Sequence, residues 1–115
     1  MHVTLDTIIE NLRYALPQFQ IDPMWAEDNL TYPIIDDLGR YICERTTYSE
    51  YDENDAAEIA RALDFLERCL AEGDSDVRDL VHECLETLDC CDHFEQIKIH
   101  FGPQVLALWQ KFFEK

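Results

Sequence analysis

The side chains best able to hold a metal ion cluster between residues 82 and 100: His82, Cys84, Cys90, Cys91, Asp92, His93 and His100. A structural zinc site spaces two thiolates two to four residues apart so that both face one ion. Cys90 and Cys91 are adjacent, so their side chains splay, and Cys84 falls on an apolar helical stripe. Neither a metal site nor a cofactor is expected. His93, Lys98 and His100 could be arranged as an acid–base set, yet the two histidines are seven residues apart. No activated nucleophile and no phosphate-cradling glycine loop accompanies them. No catalytic residue is assigned, and the chain is not read as an enzyme.

Charge points instead to a protein partner. The 115 residues carry a formal net charge of −16. Residues 1–43 hold 7 acids and 2 bases, 44–95 hold 17 and 4, and 96–115 hold 1 and 3. The acidity is therefore concentrated in the middle. Such a field repels nucleic acid and anionic lipid and attracts basic proteins. Two groups are candidates to face that partner. Tyr48, Glu50, Tyr51, Asp52, Glu53 and Asp55 combine broad aromatic contact area with carboxylates able to pair with Arg or Lys. Asp76, Asp79, Glu83 and Glu86 follow helical spacing and form one stripe, opposite Val77, Leu80 and Leu85. Like charges at those steps disfavour an isolated helix by a few tenths of a kcal/mol per pair. Asp76 and Asp79 recover part of that at the positive helix N-terminus. The plainer alternatives are a solvated acidic face and a polar loop whose tyrosines pack locally.

The elements that must position these residues are helices. Ile59, Leu63, Leu66 and Leu70 recur at three- and four-residue steps, as do Val77, Leu80, Val81, Cys84, Leu85 and Leu88. Between them Gly73 suits a left-handed helix end, and Asp74 or Ser75 can cap the next start. Residues 54–88 are thus read as an antiparallel helical pair. Leu5, Ile8, Ile9, Leu12 and Leu16 define an earlier helix capped by Thr4 and stopped by Pro17. Residues 18–31 read as a loop pinned by Phe19, Met24, Trp25 and Leu30. Pro33 opens a helix whose inner face is Ile34, Ile35, Leu38, Tyr41, Ile42 and Arg45, with Gly39 marking close packing on a neighbour. A short helix with Phe94, Ile97 and Phe101 follows, then Gly102-Pro103 and a terminal helix built on Val105, Leu108, Trp109 and Phe112. The expectation is an all-α single domain over 1–115, with five to six helices in antiparallel pairs. No apolar run is long enough to span a bilayer, no secretory signal pattern is present, and five cysteines are an odd number. A disulfide framework is not expected, and the cytoplasm is the expected location.

The Asp76-Val77-Arg78 start, followed by Val81, Leu85 and Leu88, resembles the second helix of a HEAT-type repeat. Three further stretches, in order, resemble a family of small bacterial all-helical proteins. They are residues 32–42 (Tyr-Pro-Ile-Ile-Asp-Asp-Leu-Gly-Arg-Tyr-Ile), 66–88 around Gly73-Asp74, and 101–109 (Phe-Gly-Pro-Gln-Val-Leu-Ala-Leu-Trp). That family includes immunity proteins of contact-dependent growth inhibition and other polymorphic toxin systems. The resemblance implies a protein that binds and neutralises one cognate toxin, and the charge suggests that the toxin is a basic nuclease. The matching positions are mostly glycine, proline and apolar, so they speak for the fold. A nucleic-acid mimic that sequesters a basic DNA-binding protein is the alternative reading of the same acids.

Overall fold

Apolar residues at three- and four-residue steps draw this chain into helices. A computed structural model describes residues 3–47 and 52–114. Among them seven helices follow in order: α1 (Ile8–Ala15), α2 (Pro23–Glu27), α3 (Thr31–Thr47), α4 (Glu53–Glu72), α5 (Ser75–Asp89), α6 (Phe94–Lys98) and α7 (Pro103–Phe112). The described residues form no strand, only an isolated bridge between Val3 and Gly73. No helix among them is long and apolar enough to cross a membrane.

The core is one apolar cluster centred on α3, α4 and α5. Leu38, Leu63, Leu66, Leu80 and Leu85 are shut off from solvent. Asp74 caps α5 by accepting from Val77 N at 3.0 Å. Gly73 departs from the expected left-handed end: its φ is −92° and its ψ 160°, extended backbone open to any residue. What requires glycine there is space. A Cβ would lie 2.6 Å from Val77 Cγ1 and press on the Cys69 carbonyl oxygen. Glu67 of α4 reaches across to the start of α7, accepting from Gln104 N at 2.7 Å and Val105 N at 2.9 Å. It thereby satisfies two of that helix's orphan donors with a favourable charge.

Five other expectations are corrected. The seventh helix is α2, inside the stretch read as a loop: Asp22 accepts from Met24 N at 2.9 Å and Pro23 takes the first turn. Of the residues meant to pin that stretch, Phe19 is buried and Trp25 half-buried, but Met24 and Leu30 are exposed. Helix α1 starts after Thr7 and not at Thr4, because Thr7 Oγ1 already accepts from Thr4 N at 3.0 Å and turns residues 4–7. Phe112 is exposed, while Val105 and Trp109 carry α7 into the core. Finally, two cysteines are paired: a disulfide joins Cys43 of α3 to Cys91, just beyond α5, with their Cα atoms 5.7 Å apart.

Helix α3 packs most extensively on α5, and the two run parallel, with α4 as the antiparallel return. Three neighbour pairs fix the register. Asp36 meets Glu83, Gly39 meets Thr87, and Cys43 meets Cys91, so the numbers rise together along one seam. At the middle pair the backbone of α3 comes so close that a Cβ on Gly39 would sit 2.8 Å from Thr87 Cγ2. The close packing expected of Gly39 is thus given its partner.

Candidate partner-binding surface

Two sets of acids flank the seam. At the end where α3 leaves and α4 begins, a polar cluster has formed from residues on the inner faces of both helices. Glu58 lies on the same face of α4 as Ala62 and Phe65 and is only 3% exposed. It accepts from Tyr41 Oη at 2.9 Å and from Arg61 Nη1 at 2.7 Å, which answers the cost of burying its charge. Arg45 donates to Tyr41 Oη at 2.7 Å and to Asp55 Oδ1 at 3.0 Å, so it ties the last turns of α3 to the first turn of α4. Burial, and then the neighbouring Glu58 carboxylate, push the Tyr41 phenol above its ordinary range.

The first group of candidate residues meets this cluster. Tyr48, Glu50 and Tyr51 lie outside the described residues. Asp52 is exposed and is the cap of α4: it accepts from Asp55 N at 3.0 Å, while Asp55 accepts from Asp52 N at 3.1 Å. This reciprocal arrangement satisfies two helix-start donors. The Asp52 backbone N–H, followed by the Arg45 guanidinium, holds the Asp55 carboxyl below the usual range. Asp52 and Asp55 therefore serve the fold, and Glu53 stands exposed beside them.

The second group lies on α5. Asp76, Asp79 and Glu86 are exposed, and Glu83 is half-buried at the seam. Desolvation, then the charges of Asp36 and Glu86, raise the Glu83 carboxyl above its ordinary range. Glu86 has His82 Nδ1 at 3.5 Å. Among the described residues, Arg40 pairs with Asp37, Arg45 with Asp55, Arg61 with Glu58 and Arg68 with Glu72. No cation of that set reaches Asp36, Asp76, Asp79 or Glu83. Sequence reasoning missed Asp36 because its neighbour on α5 depends on a parallel register that periodicity does not encode. It also missed Glu58, although an acid on an apolar stripe and a Tyr41/Arg45 pair one turn apart on the facing helix were the available signal.

The histidines and cysteines of 82–100 do not converge. Among the described residues no group of three or more His, Cys, Asp or Glu is placed to hold a metal. Cys69 and Cys84 are buried thiols and Cys90 is exposed. His82 packs against Phe112 and Phe113, with ring centres 4.9 and 5.1 Å away. Lys98 stacks over Trp109 at 4.3 Å, and Trp109 Nε1 donates to Asp89 at 3.2 Å.

In comparisons with known proteins, a family model described as a domain of unknown function (DUF7674) matches residues 9–115. No curated protein and no solved structure matches the chain.

Proposed function

The chain belongs to the DUF7674 family, and we propose that it acts as an immunity protein, binding and neutralising one cognate basic toxin through the acidic surface of α3 and α5. The observation that supports this reading is the unpaired charge: Asp36, Asp76, Asp79 and Glu83 line neighbouring helices without an ion pair among the described residues. Carboxylates left in that state raise the field outside the protein and speed encounter with a positive partner. The toxin is a nuclease whose phosphate-binding cleft these acids occupy or flank. The protein works in the producer's cytoplasm and carries out no reaction of its own. The HEAT-like reading belongs with this proposal: α3, α4 and α5 form a stack whose outer acidic face is the docking surface, and Tyr48–Asp55 supplies the specific contacts.

The test is protection and binding. Cells making the protein should survive one toxin, encoded beside its gene, and not that toxin's close relatives. Glu83→Lys and Glu86→Lys should slow association at low salt with little effect at high salt, as rim charges do. Tyr51→Ala should raise the dissociation rate and cost about 2 kcal/mol or more, as hot-spot aromatics do. Equal binding to unrelated basic proteins at physiological salt would replace this reading with that of a nucleic-acid mimic.

A further inference from the structure

Of the five cysteines, only Cys43 and Cys91 are joined, and their surroundings suit two chemical states. They stand 48 residues apart in sequence with Cα atoms 5.7 Å apart, inside the range that a disulfide spans without moving the backbone. The carbonyl oxygen of Thr87 lies 3.9 Å from the Cys43 sulfur and 3.6 Å from the Cys91 sulfur. When the bond is broken, each S–H therefore has an acceptor in place. Joined, the pair closes the seam; reduced, the same backbone holds two satisfied thiols. Both residues are half-buried, so a small thiol can reach them from solvent. The remaining cysteines do not compete. Burial pushes the Cys69 thiol up to about 12 and the Cys84 thiol up as well, leaving almost no thiolate at neutral pH. Cys90 is exposed and unpaired in the described structure.

We infer that Cys43 and Cys91 form a reversible thiol–disulfide exchange site, operated by glutathione-class thiols, that locks the end of α3 to the α5–α6 link. In reduction, a glutathione thiolate attacks one sulfur of the pair, forming a mixed disulfide and releasing the other cysteine as thiolate, which takes a proton. A second glutathione thiolate attacks the glutathione sulfur of that intermediate, giving oxidised glutathione and freeing the second cysteine. Two electrons pass to the protein and two glutathiones are oxidised to one disulfide. Oxidised glutathione drives the reverse. The lock sits where it matters mechanically: Cys43 lies one turn before residues 48–51, and Cys91 three residues before α6. Closing it ties the last turns of α3 to the link that leads into α6. This site stands apart from the proposed toxin binding and is tested without any toxin.

The experiment equilibrates the full chain in glutathione buffers of increasing oxidised fraction, quenches with an alkylating agent and maps the label by peptide mass spectrometry. Cys43 and Cys91 should lose label together in one transition and appear as a single linked peptide pair. Cys90 should be labelled at every ratio, and Cys69 and Cys84 only after unfolding. Amide hydrogen exchange over 44–47 and 89–94 should be at least several-fold slower in the oxidised form. Cys90→Ser should leave the transition unchanged, while Cys43→Ser and Cys91→Ser should each abolish it. Linkage of Cys43 to Cys90 would overturn the assignment. So would labels on Cys43 and Cys91 that do not change with the glutathione ratio, or identical exchange rates in the two forms. The wild type and Cys90→Ser decide the matter even if a serine at 43 or 91 impairs folding.

Discussion

Replacing Gly39 with alanine gives opposite signs depending on whether the α3–α5 seam is as close as described. At an exposed helix position the change stabilises, by about 1 kcal/mol, because alanine is the better helix former. Here the new Cβ would meet Thr87 Cγ2 at 2.8 Å and Thr87 Cβ at 2.9 Å. Carbon atoms settle at roughly 3.5–4.0 Å, so the helices must part by something near 1 Å. Threonine is β-branched and stiff, and a neighbour's Cβ cannot swing aside. Overpacking of this kind costs about 1–3 kcal/mol, which outweighs the propensity gain and leaves Gly39→Ala destabilised by about 1 kcal/mol. Thr87→Gly moves the missing side chain to the other helix. Alone it also destabilises, but combined with Gly39→Ala it should recover about 1 kcal/mol or more relative to the sum of the two. Urea unfolding of the four proteins, at constant slope, measures all the terms. A Gly39→Ala protein more stable than wild type, or additive single changes, would refute the close seam.

Further consequences can be measured on the same footing. Glu83→Gln should raise stability at neutral pH. The folded carboxyl binds its proton at a higher pH than the unfolded chain, so its charge costs stability above both values; that cost fades as pH falls through the folded value toward the ordinary 4.5. The gap between mutant and wild-type melting temperatures should narrow over that acid range, and a gap independent of pH would contradict the Asp36–Glu83 contact. Arg61→Ala removes one of the two partners holding buried Glu58, and because Arg61 is itself 57% exposed the loss is about 1–2 kcal/mol. Pairing it with Glu58→Gln should lower that loss, and strict additivity by denaturation would mean that Glu58 is hydrated. Glu67→Ala strips the start of α7 of its carboxylate and should cost about 1 kcal/mol. Faster hydrogen exchange at Gln104 and Val105 would report it, and unchanged exchange there would reject the cap.

Helix positions were legible wherever an apolar stripe ran beyond two turns, as with Leu63–Leu66–Leu70 or Leu80–Cys84–Leu88, because burial and periodicity say the same thing there. Helix α2 has no stripe at all, and only the Asp22-Pro23 pair announced it. Gly73 and Gly39 illustrate two kinds of glycine that a sequence does not distinguish: both serve close approach, although a glycine between helices suggests a left-handed turn. The acids of α5 were found by spacing, but spacing could not assign Asp36 to Glu83 or Cys43 to Cys91. Those neighbours exist because α4 brings the chain back and α5 then repeats the direction of α3. A parallel pairing leaves no local trace. Asp52 and Asp55 carry a second role that their spacing of three, at the start of a helix, also spells: a reciprocal cap.

The seam has a mechanical consequence. Asp36, Gly39 and Cys43 stand on successive turns of one helix, and what faces them is repulsion, hard contact and a covalent bond, in that order. Gly39 against Thr87 is therefore a fulcrum, with arms of about 4.5 Å and 6 Å along the axis. The Glu83 charge loads one arm, while the sulfur bond fixes the other where the backbone already stands. Reduction removes that anchor without moving the helix, and leaves the far arm free to answer a charge at the near one.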